Sequence, residues 1–359
     1  MRLFPLSRVA SRRCVLAGVI AFVAAGSPAL AQQVVTIQMD GGAFAKAMRE
    51  AVLDPAEKEL GIKISVDSNS GNGIADLRAQ VASGRPAVDI MSQGGYSAPM
   101  VEREGLLEPL DYKMIDVSGM PQSSYGKSWI AAYEFTALIA WSTETFKDKK
   151  PAGWAALWDV KTYPGKRSLR RRPLYALEAA MIADGVAPAD VYTALSAPGG
   201  LDRAFKKLEE IKPHVAAWWT SGAQSMQLMK DGEADIGVLW DGRAKALKNS
   251  GAEVDFTYDQ QILQFDCWVI PKGAPNRDAA MKLMAYMAKP EPQARFAVAV
   301  GGYPPANPKA YDTGIISADA VKQMAGTPER RKNAIVQDVS WWANNIEAVE
   351  KRFTSFLQQ

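Results

Sequence analysis

VVTIQMDGGAFAKAMREAVLDPAEKELGIKISVD, residues 34–67, decides how the rest of the chain is read. VVTIQM has the β-branched, apolar character of a buried strand, FAKAMREAVLDPAEKEL spaces its apolar residues as an amphipathic helix does, and IKISVD returns to strand. ADLRAQVAS then reads as a helix and VDIM as a third strand. Strand, helix, strand, helix, strand implies parallel strands joined by crossover helices. SNSGNG, between the second strand and the second helix, is a turn cluster; no lysine follows it and its glycines fit no nucleotide motif.

Working outward, residues 154–257 repeat the alternation. PGKRSLR predicts a strand and PLYALEAAMIADG a helix with Pro173 at its start. LDRAFKKLEEIK predicts a helix with Asp202 as N-cap. HVAAWW is a strand, TSGAQSMQLMKDG a helix, DIGVLW a strand, and DGRAKALKN opens another helix. WIAAYEFTALIAWS, 129–142, is a long apolar strand able to pass from one unit to the other. NRDAAMKLMAYMA and the last forty residues are helical in pattern. The fold class expected is α/β with two lobes, each a mixed sheet flanked by helices.

The first 31 residues read as an export signal to be cleaved. Four arginines precede the eleven-residue run VLAGVIAFVAA, and Ala29-Leu30-Ala31 closes the segment. That run is shorter than the ~20 residues a membrane span needs. SRRCVL resembles a twin-arginine signal. Losing four arginines and no acid takes the formal charge from +3 to −1, so the basic balance argues for neither nucleic acid nor membrane surface. Cys267 is the one cysteine left, which excludes an intrachain disulfide, and lone His214, with no CxxC or HExxH, argues against a zinc site. With no G-x-S-x-G and a single imidazole, a secreted hydrolase lacks its parts, although a carboxylate-pair mechanism is formally open.

ILQFDCWVIPKG, 262–273, is an apolar strand with Asp266 in its middle. An unpaired carboxylate there costs several kcal/mol, roughly. Either an arginine or backbone amides pair it internally, or it faces a cleft and waits for a cation.

The ordered set of ELGIKISVDSNSG, VDIMSQGGYSAPMVEREGLLEPLD, WAALWDVKTYPGKRSLRRRPLYALEAAMIADG, GEADIGVLWDGRAKAL, FDCWVIPKGAPNRDAAMKLMAYM and GGYPPANP resembles the bacterial extracellular solute-binding proteins of ABC importers, spermidine/putrescine group. The resemblance covers most of the chain. It implies the two-lobed periplasmic binding protein fold, with lobe 1 from 32–142 plus 268–312 and lobe 2 from 143–267 plus 313–359. It also implies a periplasmic monomer that closes on a ligand and docks on an inner-membrane ABC permease driven by a separate ATPase. No catalytic role, cofactor or metal is implied. A ferric-ion binder of the same superfamily is the alternative, against which stands the lack of a Tyr-Tyr pair.

In this family an aspartate before a hinge-crossing strand accepts the ligand's ammonium group, the role that falls on Asp266. Matching positions add Tyr96 from SQGGY, Trp240, Trp342 and Tyr303 as aromatic contacts, and Asp40 and Phe44 after the first strand. Stacked aromatics contribute about 0.5–2 kcal/mol each to a bound cation. Where spermidine binders carry further acids, this chain has Arg172 and Tyr175, with Glu178 one turn on, and Arg243 follows Trp240. A cleft arginine repels a second ammonium and suits a carboxylate. The residues therefore lean toward an ω-amino acid such as γ-aminobutyrate, while the family group favours putrescine or spermidine. Arg170 and Arg171 are expected to face solvent or the permease.

Overall fold

A computed structural model describes residues 33–68 and 73–359. The export signal and positions 69–72 of SNSGNG lie outside the described residues. Nine strands form one sheet: β1 Val34–Gln38, β2 Lys63–Asp67, β3 Ile90–Gly94, β4 Trp129–Ser142, β5 Arg167–Arg170, β6 Val215–Trp219, β7 Ile236–Trp240, β8 Val254–Val269 and β9 Ile335–Val336. The order is β2-β1-β3-β8-β4-β7-β5-β6, with β9 beside β8. β1 pairs parallel with β2 and β3, and β5 parallel with β6 and β7, as the crossover helices require. Between these parallel wings run β8 and β4, antiparallel to each other and to their outer neighbours.

The strands expected from sequence appear where the alternation put them, and the two sheets are wings of one. Two hydrophobic cores lie along it. The first gathers Val35, Ile37, Ile90, Val269 and the helix Arg277–Met287; the second gathers Leu169, Leu177, Trp219, Val238 and Phe353. β4 belongs to both: Trp129–Tyr133 sit in the first core and 137–141 in the second. Between them Glu134 and Thr136 are polar yet buried. β8 does the same, with Ile262 in the second core and Phe265 and Cys267 in the first, and after β9 the chain passes from Ile335 to Val339. The two cores part inside the two long strands, near 134–136 and 263–264. Ile316 and Met324 pack on Ala294 and Ala297 of the helix Pro290–Ala299.

Two local expectations change. Pro173 lies before the helix Ala176–Ala183, whose N-cap is Tyr175; Asp202 sits in the first turn of Gly200–Ile211, capped by Gly199, and pairs with Arg352 instead. Among the described residues no helix is long and apolar enough to cross a membrane.

Candidate functional site

The carboxyl ends of β3, β5 and β7 converge, where α/β sheets commonly hold ligands. There a cavity of about 230 Å3 is bordered by Tyr96, Arg170, Arg172, Tyr175, Trp240 and Asp266, among others. Each comes from a strand end or the turn just after it, except Asp266, which lies within β8 opposite Gly94 of β3 and Tyr133 of β4.

The Tyr133 hydroxyl donates to Asp266 Oδ2 at 2.8 Å. None of the described cations forms an ion pair with it. Burial lifts its pKa from 3.8 to about 7; the Tyr133 hydrogen bond works against that, and the charge of Asp40 adds to it. The glycines of SQGGY make room for β8. A Cβ on Gly95 would stand 2.7 Å from the Phe265 carbonyl oxygen, which the Gly95 N–H contacts at 3.0 Å. The next residue, Tyr96, is thereby aimed over the cavity.

On the second wing, Arg170 ends β5 and lies across three rings, 5.0 Å from the Tyr175 centroid, 5.3 Å from Trp240 and 5.9 Å from Trp219. Its Nε is shielded from solvent and has no hydrogen-bond partner among the described residues. Arg172 is differently placed. Its Nε donates to Glu350 Oε1 at 2.9 Å, Nη2 donates to the same oxygen, and Nη2 reaches the Tyr96 hydroxyl at 3.2 Å. Its charge is answered from the helix Val339–Gln358. The Tyr175 hydroxyl accepts from Trp240 Nε1 at 2.9 Å and Gln264 Nε2 at 2.6 Å.

Five of the ten residues singled out from sequence therefore border one cavity: Asp266, Tyr96, Trp240, Arg172 and Tyr175. Three more lie around Tyr133, the hydrogen-bond partner of Asp266, and do not border the cavity. Phe44 packs at 5.2 Å on Tyr133, Tyr303 stacks on Tyr133 at 5.6 Å, and the charge of exposed Asp40 is felt by Asp266, Tyr133 and Tyr303. Arg243 is exposed on the helix Asp241–Asn249, close to Tyr303, and does not border the cavity. Arg170, expected at solvent, stands there instead, because β5 delivers its last side chain inward; Arg171 is exposed as expected. Trp342 is a second correction. It is 0% exposed in the second core and donates Nε1 to Glu178 Oε1 at 2.8 Å. Glu178 is itself fully buried and does not border this cavity.

Tyr133, Gln264 and Arg170 were not found from sequence. Tyr133 and Gln264 sit in strands buried on both faces, where a polar tip gives no periodic signal.

Comparison with known proteins gives the family. Residues 51–323 match the model of a family described as bacterial extracellular solute-binding protein. The γ-aminobutyric acid-binding protein of Pseudomonas aeruginosa is 30% identical over 94% of both chains. The spermidine/putrescine-binding periplasmic protein 1 of Haemophilus influenzae is 26% identical over 86% of this chain and 85% of its own. The crystal structure of an ABC transporter substrate-binding protein from Bradyrhizobium japonicum superposes with a TM-score of 0.85 at 39% identity, covering 91% of this chain and 100% of that one. The chain belongs to the bacterial extracellular solute-binding proteins, the non-enzymatic substrate-binding components of ABC importers.

Proposed function

We propose that this protein captures a small ω-amino acid of the γ-aminobutyrate type in the periplasm, closes its two wings over it, and hands it as a monomer to an inner-membrane permease. The observation that carries this reading is the charge inventory of the cavity. Among the described residues no cation pairs with Asp266 and no acid pairs with Arg170, whose Nε has no hydrogen-bond partner, whereas Arg172 is neutralised by Glu350. One negative and one positive pole suit a ligand carrying one ammonium and one carboxylate. A diamine would set its second ammonium against Arg170, and like charges ~4 Å apart repel by roughly 4 kcal/mol at an effective dielectric of 20. The γ-aminobutyric acid-binding relative, closer in sequence than the polyamine binders, supports the same reading.

Titration calorimetry with γ-aminobutyrate, putrescine and spermidine tests it. γ-Aminobutyrate should bind in the micromolar range or tighter and both polyamines at least about a hundredfold more weakly, given that repulsion. Tighter binding of either polyamine would overturn the assignment.

A pH dependence follows from the pKa of about 7 at Asp266. The ammonium pairs with the ionised acid, so affinity should be level above pH 7 and fall by about tenfold per unit below it, with a proton released on binding at pH 6. Calorimetry at pH 6 in buffers of different ionisation enthalpy reads that proton directly. In the empty protein this carboxyl holds its proton up to pH 7, whereas the unfolded chain loses it near 3.8. Its contribution to stability is therefore present at low pH and is lost as the pH rises through 7.

A further inference from the structure

Tyr175 caps the helix Ala176–Ala183 with φ at 74°, in the left-handed region that residues with side chains seldom occupy. It is held there by the Glu178 carboxylate, which accepts from its N–H at 2.9 Å, and by a ring that is 1% exposed. Strain of this kind persists where the surroundings over-determine it, commonly at ligand sites. Its result here is to place the phenol oxygen between Trp240 Nε1 and Gln264 Nε2, both donating to it. An indole N–H and an amide NH2 group can only donate. With both acceptor positions taken, the phenol proton must be given elsewhere. Among the described residues none accepts it, and Tyr175 borders the cavity. Burial raises the pKa of the phenol, which keeps that proton in place.

We propose that Tyr175 is a specificity-determining residue that donates its phenolic hydrogen to a carboxylate oxygen of the ligand, beside the unpartnered Arg170 Nε. This rests on the ω-amino acid reading above and adds to it the group that recognises the acid end. The pole opposite Asp266 then consists of donors alone, the Tyr175 hydroxyl and the Arg170 guanidinium. A carboxylate supplies acceptors to both. A methyl end leaves both unanswered, and an ammonium end meets two donors with a third. Rejection of diamines would thus have a hydrogen-bonding cause in addition to charge repulsion.

The Tyr175→Phe protein, titrated with γ-aminobutyrate and with n-butylamine, which has a methyl group in place of the carboxylate, separates the possibilities. The expected result is that γ-aminobutyrate weakens by about tenfold or more, as for a lost hydrogen bond to a charged group, while n-butylamine is little changed. The ratio of the two affinities does not depend on the fraction of protein that is folded, so a loss of stability cannot imitate this outcome. If both ligands weaken together, Tyr175 acts by supporting Trp240 and Gln264, and the proposal is overturned. It is also overturned if neither changes. Failure of γ-aminobutyrate to bind the unaltered protein would remove the ω-amino acid reading and the carboxylate partner with it, whereas normal binding with an unchanged ratio removes only the role given to Tyr175.

Discussion

Asp266→Asn is expected to weaken γ-aminobutyrate binding by a few hundred- to a few thousandfold and, at pH 8, to raise the melting temperature of the empty protein. Removing one member of a buried charge pair costs about 3–5 kcal/mol, because the remaining charge is left desolvated. In the complex that remaining charge is the ligand's ammonium. The stability change has the opposite sign. At pH 8 the empty site holds an ionised acid in surroundings that lift its pKa to about 7, so the charge is carried at a cost that an amide does not incur. Below pH 3.8 the carboxyl is protonated in the folded and the unfolded chain alike, and the two proteins should melt at similar temperatures. A site residue that destabilises its own fold is common where binding is selected over stability. Thermal melts at both pH values, with and without ligand, check both halves. An Asn protein that melts lower at pH 8, or binds within about threefold of the original, would make Asp266 structural.

Glu178→Ala should be the most damaging single change to the second core. The carboxylate accepts from the Tyr175 N–H at 2.9 Å, the Tyr192 hydroxyl at 2.7 Å and Trp342 Nε1 at 2.8 Å, at 0% exposure. Truncation leaves the Tyr175 N–H and the Tyr192 hydroxyl unanswered away from water, at about 1–3 kcal/mol each, leaves Trp342 Nε1 only its 3.1 Å bond to the Tyr192 hydroxyl, and opens a cavity as well. A loss of roughly 4–6 kcal/mol is a large share of the 5–15 kcal/mol that holds a typical domain together. Urea unfolding measures it; a loss under ~1 kcal/mol would mean that water or a repacked neighbour satisfies the donors. Burial pushes the Glu178 pKa up while the hydrogen bonds pull it down, so the acid is held by geometry rather than by a counter-charge. The same bond fixes the Tyr175 backbone, which couples the core to the ligand cavity.

The parallel wings were legible because period and turn chemistry are local: every strand from β1 to β7 follows from runs of four to fourteen residues. Asp266 was legible as a polar exception in an apolar strand, and Tyr96 as an aromatic directly after two glycines. Its partner was not. Tyr133 meets Asp266 across 133 positions of chain through the β4–β8 register, and β4 is buried on both faces, so no alternation marks which tip points to the cleft. Which of Arg170 and Arg243 borders the cavity was hidden for a similar reason. Both follow or end a strand, and only the direction of the last side chain of β5 decides which guanidinium enters. Trp342 misled because an aromatic on a long terminal helix fits a cleft and a core equally well until its Nε1 partner is known.

β4 and β8 run unbroken through both cores, paired with each other nearly end to end. No loose tether joins the wings at these two spans, so opening and shutting has to be taken up as flexure of a two-ply ribbon, with the register slips at 131–133 and 137–139 as its softer places. Under the proposed function Asp266 holds the ligand's ammonium on that ribbon, opposite Tyr133 and beside the slip at 131–133. Anchor and lever would then be one piece, and a passenger's tug on the acid would be delivered straight to the part whose curvature sets how far the jaws come together.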